Sequence, residues 1–190
     1  MSAVPKPNYT VQEYLIRERA AAGKSEFYRG QIFAMAGGSP RHNTISVNLV
    51  ASLRGRLRGS PCRPYNSDQR IRIPANSLST YPDVSIVCGE LQIDADDHDA
   101  IVNPSVIFQV LSKSSESYDR GKKFDLYRQL ESIREFVLVS QDEPQVERFV
   151  RQEDGSWVLT VFKELETELH TLENVLPLKE IYEDVKFGPE

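Results

Sequence analysis

The alternation of apolar and polar positions predicts three elements in the first sixty residues. After a loose tail over residues 1–9, Thr10 and Glu13 form a T-x-x-E capping box that should begin a short helix ending near residue 22. Residues 26–35 are typical of a hairpin of two strands. A second helix is expected over residues 39–58, because apolar residues recur there every four positions: Ile45, Leu49, Leu53 and Leu57.

The rest of the chain predicts strands around one crossover helix. Residues 59–66 are expected to form a loop, and residues 70–73 an exposed strand. Further strands are predicted over 82–88, 104–111, 135–139, 146–150 and 157–162, with a helix over 117–130 and a short amphipathic piece over 178–182. Residues 104–111 are nearly all apolar, as in a central strand covered on both faces. A strand, helix and strand in this order favour a parallel pair, so we predict an α/β (α+β) mixed sheet flanked by helices in one domain, residues 1–190.

Composition fits an ordinary folded domain: 190 residues, of which 39% are hydrophobic and 27% charged. No apolar run reaches the roughly 18–20 residues of a membrane helix, which predicts a protein with no membrane contact. The two cysteines, Cys62 and Cys88, show neither the spacing of a zinc site nor a disulfide framework. We therefore expect free thiols and a cytoplasmic location.

Charge is distributed unevenly along the chain, although the net charge is only −5. Residues 41–72 carry one acid and seven arginines: Arg41, Arg54, Arg56, Arg58, Arg63, Arg70 and Arg72. Guanidinium groups suit phosphate recognition, but a solvated helix face, or pairing with the acidic C-terminus, explains such a run equally well. The acidic stretch that follows could bind metal, but a solvated loop is the favoured interpretation for its four aspartates: Asp94, Asp96, Asp97 and Asp99.

Several catalytic classes are excluded by missing motifs. The chain has no phosphate-binding P-loop, no dinucleotide-binding G-x-G-x-x-G, no G-x-S-x-G elbow and no H-x-x-x-H pair. The remaining candidates are Glu26, Asp83, the buried-strand residue Gln109, and Lys123 with Tyr127 on one helix face. Carboxylate oxygens bind Mg²⁺, and a nearby lysine can orient water or stabilise phosphate charge. Taken singly, these residues also fit a turn, a solvated lysine and a backbone-capping glutamine.

Three stretches carry a resemblance to a known family: AMAGGSPRHN, YPDVSIV and VLSKSSESYDRGKKFDLYRQLESIREFVLV. They resemble the bacterial restriction endonuclease-like family within the PD-(D/E)XK nuclease superfamily. The resemblance implies a restriction endonuclease-like core, α-β-β-β-α-β, with an N-terminal helix and a peripheral C-terminal hairpin. It also implies an endonuclease that hydrolyses phosphodiester bonds of DNA with Mg²⁺ or Mn²⁺. Cutting both strands takes two sites, so a homodimer is expected.

The match assigns roles to four residues. Asp83 corresponds to the aspartate that bridges the metal and the scissile phosphate, and Gln109 to the second acid. Lys123 corresponds to the catalytic lysine, moved to the helix, and Glu26 to an acid able to reach the same metal. DNA contacts are expected from five further residues: His42, Asn43, Arg54, Arg58 and Tyr127.

Gln109 departs from the family pattern, which has glutamate at that position in E-V-L-S. The site would lose one negative charge, and Mg²⁺ affinity should fall unless Glu26 restores it. Two hypotheses follow. One is a weakened or context-dependent nuclease; the other is a nuclease-fold protein that binds nucleic acid or a protein partner without cutting.

Overall fold

The computed structural model describes residues 8–112 and 115–188, so most of the predicted tail lies outside the described residues. The helices are α1 (Val11–Ala20), α2 (Pro40–Arg56), α3 (Glu116–Tyr118), α4 (Phe124–Tyr127) and α5 (Leu178–Ile181), and a π-helical turn, Asp119–Lys123, joins α3 to α4. The strands are β1 (Ser25–Tyr28), β2 (Gln31–Ala34), β3 (Cys62–Asn66), β4 (Arg70–Ile73), β5 (Leu78–Thr80), β6 (Val84–Cys88), β7 (Ala100–Ile101), β8 (Val106–Leu111), β9 (Glu135–Ser140), β10 (Gln145–Arg151), β11 (Trp157–Lys163), β12 (Glu168–Thr171) and β13 (Asn174–Pro177).

A six-stranded mixed sheet forms the centre of the fold, in the order β11-β10-β9-β8-β6-β3. All six residues of β8 are buried, as their apolar run predicts. The pair β8 and β9 is parallel and is connected through α3 and α4, which confirms the predicted crossover. The order α2, β3, β6, β8, α3–α4 and β9 gives the α-β-β-β-α-β core that the resemblance implies.

Helix α2 covers one face of this sheet. Its four-residue repeat is buried, and Ile45, Leu49 and Leu53 pack against sheet residues such as Val84 and Phe108. Ser39 caps the helix through a hydrogen bond from the His42 amide, and Pro40 is its first residue, as predicted. Because this apolar stripe packs against the sheet, the N-terminal end of α2 lies beside the start of β6.

The opposite face of the sheet is covered by α4 and by a second sheet, ordered β2-β1-β5-β4-β7. Residues 25–34 form the predicted hairpin β1–β2 at the edge of that second sheet. Helix α1, with both halves of its capping box, packs against β1 through Tyr14 and Phe27. No helix among the described residues is long and apolar enough to cross a membrane.

The structure corrects two predictions, that of a loop over residues 59–66 and that of free thiols at Cys62 and Cys88. The second half of that segment is strand β3, which pairs antiparallel with β6 and places Cys62 directly opposite Cys88. The two cysteines form a disulfide, so the prediction of free thiols was wrong. Their separation of 26 residues gave no sign of this pairing, because only the register of β3 on β6 brings the two side chains together.

The predictions for the arginine-rich and acidic segments also need correction. Strand β4 is buried at every position, because β5 and β7 flank it within the second sheet. Arg70 bonds to both carboxylate oxygens of buried Asp97, at 2.6 and 2.8 Å. Arg72 lies 3.0 Å from buried Asp94. These aspartates are therefore partners for buried arginines rather than parts of a solvated loop, and only Asp96 and Asp99 have largely exposed side chains.

Candidate functional site

A cleft of about 670 Å³ opens where the β1–β2 hairpin, the start of α2, the beginning of β6, the end of β8 and the π-helical turn meet. Six of the residues singled out from the sequence line it: Glu26, His42, Asn43, Asp83, Gln109 and Lys123. They come from positions spread over nearly a hundred residues. Their convergence is a property of the tertiary fold.

Asp83 and Gln109 lie on the same face of the central sheet. Strands β6 and β8 pair with Val84 opposite Phe108, so continuing the register by one residue places Asp83 opposite Gln109. The Val110 amide donates to Asp83 Oδ2 at 2.7 Å, which fixes the carboxylate just before the start of β6. Gln109 is 4% exposed, and its Nε2 has no hydrogen-bond partner among the described residues.

Glu26 and Lys123 form a buried ion pair, with Glu26 Oε1 2.9 Å from Lys123 Nζ. The Thr80 hydroxyl donates to the same carboxylate oxygen. Burial works against the charged ammonium, but the negative charge of Glu26 raises the pKa of Lys123 well above its ordinary value. Lys123 is therefore a permanent cation in the cleft.

His42 supplies a second cationic group, on the first turn of α2. Its Nε2 lies 3.3 Å from Asp83 Oδ1. Burial opposes the charged imidazolium, but the hydrogen bond and the charge of Asp83 outweigh it and raise the pKa of His42 above the ordinary 6.5. The carboxylate of Asp83 thus holds a proton on a ring that faces the cleft.

Three predicted DNA-contacting residues are not in this cleft. Tyr127 is fully buried, which leaves it no surface for nucleic acid and corrects that prediction. Arg54 and Arg58 are exposed, but Arg54 lies near the C-terminal end of α2, roughly 20 Å along the helix axis from Ser39, and Arg58 follows that end. Neither arginine lines the cleft. Of the other arginines, Arg56 pairs with Glu180 and Arg41 with Asp142.

The cleft also contains a carboxylate that the sequence reasoning missed. Asp119 begins the π-helical turn and is 2% exposed, and its Oδ1 lies 3.6 Å from Lys123 Nζ. The spacing of four residues between Asp119 and Lys123 was a usable signal, because it places both on one side of a helix. Lys24 lines the cleft as well, and bonds to the Ser67 carbonyl at 2.9 Å.

The donor set of the cleft can be tested against a divalent cation. Among the described residues, no group of three His, Cys, Asp or Glu side chains could hold a metal ion. Mg²⁺ commonly needs only one or two carboxylates and completes its shell with water. Asp83 presents one carboxylate, and another buried carboxylate oxygen, Asp119 Oδ1, has no hydrogen-bond partner among the described residues. Carboxylate oxygens are the donor type that a hydrated magnesium or manganese ion takes from a protein.

Comparison with known proteins agrees with this architecture. Residues 11–181 match the Uma2 family model, described as "Putative restriction endonuclease". Two uncharacterized proteins of Synechocystis sp. are similar: slr1290 is 36% identical over 83% of this chain and 82% of its own length, and sll1609 is 35% identical over 80% and 85%.

The crystal structure of a protein from Anabaena variabilis, described as a putative nuclease, has the same fold. It superposes with a TM-score of 0.74 over 92% of this chain and 97% of that one, at 18% identity. A match spanning nearly all of the described fold, together with relatives above one-third identity, establishes that the chain belongs to the Uma2 family, described as putative restriction endonucleases.

Proposed function

We propose that the chain is a metal-dependent endonuclease that hydrolyses phosphodiester bonds of DNA in the cleft around Asp83. One observation carries the proposal: Glu26, Asp83, Gln109 and Lys123, from four separate elements, line a single cleft. A nuclease-like function is what the family match supports. Mg²⁺ or Mn²⁺ as cofactor and DNA as substrate are the finer parts of the proposal.

The protonation state of Lys123 decides its role in the cleft. Because Glu26 keeps Lys123 protonated, Lys123 would stabilise negative charge on a phosphate rather than accept a proton from water. A metal ion, when bound, would supply Lewis-acid stabilisation of the phosphate and a more acidic water. Asp83, fixed by the Val110 amide, would hold that ion at the start of β6.

The first turn of α2 would orient the substrate. The positive end of a helix dipole attracts phosphate, and His42 and Asn43 stand at that end of a 17-residue helix. His42 would add positive charge below its raised pKa. Positioning of one phosphate between this turn and Lys123 would bring it beside Asp83.

The experiment is a nuclease assay on single- and double-stranded DNA with Mg²⁺ or Mn²⁺. Wild type and Asp125→Asn should cut, because Asp125 is an exposed acid on α4 outside the cleft. Asp83→Asn should lose cleavage by roughly a hundredfold or more, as expected when charge stabilisation at a reacting centre is removed. Equal cleavage by Asp83→Asn and wild type would contradict the proposal.

The second candidate is a nucleic-acid-binding or partner-binding protein that does not cut, and the neutral side chain of Gln109 favours it. Salt-sensitive DNA binding by wild type, without cleavage under either metal, would select this candidate. We propose a homodimer for the form that cuts DNA, since cleavage of both strands takes two sites. Sedimentation of the protein under the conditions of the assay measures its mass.

A further inference from the structure

Position 109 carries a neutral amide where the family pattern has a negatively charged carboxylate. Gln109 lies opposite Asp83 in the extended register of β6 and β8, where a second carboxylate would bring a negative charge close to the first. Its amide is 4% exposed and its Nε2 is unpartnered among the described residues. A buried amide left without a partner costs free energy unless something in the cleft satisfies it.

Glu26 is poorly placed to make up this charge. The same oxygen, Oε1, accepts from the Thr80 hydroxyl and lies 2.9 Å from Lys123 Nζ. Removing Glu26 from this pair would leave Lys123, which is 6% exposed, with the more distant Asp119 carboxylate at 3.6 Å to offset its buried charge. Glu26 is therefore committed to neutralising the lysine.

Asp119 is in a different situation. It is 2% exposed and lines the cleft, and its Oδ1 makes no hydrogen bond to any described residue. Burial raises the pKa of Asp119, the charge of Lys123 and a hydrogen bond with Ser115 lower it in part, and the charges of Asp83 and Glu26 raise it again. Asp119 is thus a buried acid that interacts with Asp83, and its Oδ1 accepts no hydrogen bond from the described residues although it lies 3.6 Å from the Lys123 ammonium.

We propose that Asp119 is a divalent-cation ligand that shares the ion with Asp83 and supplies the negative charge that Gln109 lacks. The inference rests on the proposed function, which it deepens by assigning the second carboxylate to the π-helical turn rather than to β8. Two carboxylates plus water suffice for Mg²⁺ or Mn²⁺. Gln109 completes the site as a neutral group, since a half-turn of its amide presents either the oxygen to the ion or the N–H to a water.

The π-helical turn places two groups of opposite charge, a carboxylate and an ammonium, beside the cleft. Asp119 and Lys123 begin and end the turn, and both are buried beside the cleft. Single π-helical turns within α-helices occur frequently at functional sites. Here the turn holds a carboxylate oxygen that accepts no hydrogen bond from the described residues and lies 3.6 Å from the ammonium that pairs with Glu26.

The test measures Mn²⁺ binding by electron paramagnetic resonance and calorimetry, without DNA. Asp119→Asn should weaken binding by roughly tenfold or more, since even groups that only support a ligand contribute about ten- to a hundredfold. Asp125→Asn, an exposed acid a few residues along the same helical segment, should bind like wild type. Gln109→Glu should bind more tightly, because it adds the missing charge directly.

Asp119→Glu keeps the negative charge, so it separates the loss of a ligand from a loss of folding. A thermal melt of every variant checks that each one is folded. Asp119→Glu should bind Mn²⁺ more tightly than Asp119→Asn. Wild-type affinity in a folded Asp119→Asn, or no Mn²⁺ binding by wild type, would overturn the inference. The proposed function is judged separately: metal binding that depends on Asp119, without DNA cleavage, would leave this inference standing and reject the endonuclease.

Discussion

The His42–Asp83 pair is the smallest part of the site whose titration can be measured separately. In the metal-free protein, the imidazole of His42 should titrate above 6.5, because the hydrogen bond and charge of Asp83 outweigh the effect of burial. Asp83→Asn should lower the pKa of His42, since burial is then opposed only by the smaller effects of the Val110 backbone and the Asp119 charge. An NMR titration of the three histidines in EDTA, with Asp125→Asn as control, measures this.

The same pair contributes to stability with a definite sign. A histidine whose pKa is raised in the folded state stabilises the fold at pH values below the unfolded pKa, and this contribution is lost as pH rises through the folded pKa. Urea unfolding across that window should therefore show a loss of stability in wild type that Asp83→Asn lacks. A pKa of His42 that is identical in both proteins would contradict the ion pair.

At the scale of elements, the N-terminus of α2 connects stability to the site. The Ser39 hydroxyl accepts from the His42 amide at 3.1 Å and donates to Gln141 Oε1 at 2.9 Å. Ser39→Ala should cost about 1 kcal/mol of unfolding free energy, the usual contribution of an N-cap. It should also shift the ring resonances of His42, because the first turn loses its anchor.

Thr10→Ala is the matched control, since Thr10 caps α1 by the same geometry outside the cleft. It should lower the unfolding free energy by a similar amount, about 1 kcal/mol, and leave His42 unchanged. Equal effects of both substitutions on His42 would show that the first turn of α2 is not what positions the ring.

At the scale of the whole molecule, the Cys62–Cys88 disulfide ties β3 to β6 beside the cluster covered by α2. Replacing both cysteines by alanine should lower the unfolding free energy by about 2–4 kcal/mol, the usual effect of closing a loop in the unfolded chain. Dithiothreitol should destabilise wild type and leave the double variant unaffected. Identical urea midpoints for oxidised and reduced wild type would contradict this.

We further propose that the described chain unfolds as one domain. Both large clusters pack on opposite faces of the same central sheet, so neither can be exposed without disturbing the other. A single cooperative transition is expected by fluorescence of Trp157 and by circular dichroism, in wild type and in the cysteine variant. Two separate transitions would reject the proposal.

The sequence by itself determined the elements with strong local signals. The capping box of α1, the four-residue repeat and N-cap of α2, the apolar run of β8 and the parallel crossover to β9 are all confirmed. The resemblance and the structure also agree on the α-β-β-β-α-β core. These features depend on hydrogen bonds and apolar periodicities within a few residues, so a linear pattern is enough to specify them.

Only the tertiary structure decided which partners distant residues would find. It buried β4, paired Arg70 with Asp97, joined Cys62 to Cys88 and turned Tyr127 into the interior. It also brought Asp119 into the cleft and tied Glu26 to Lys123. The physical reason is that charge pairing, disulfide formation and burial depend on which surfaces meet, and strand register and sheet packing set those contacts across tens of residues.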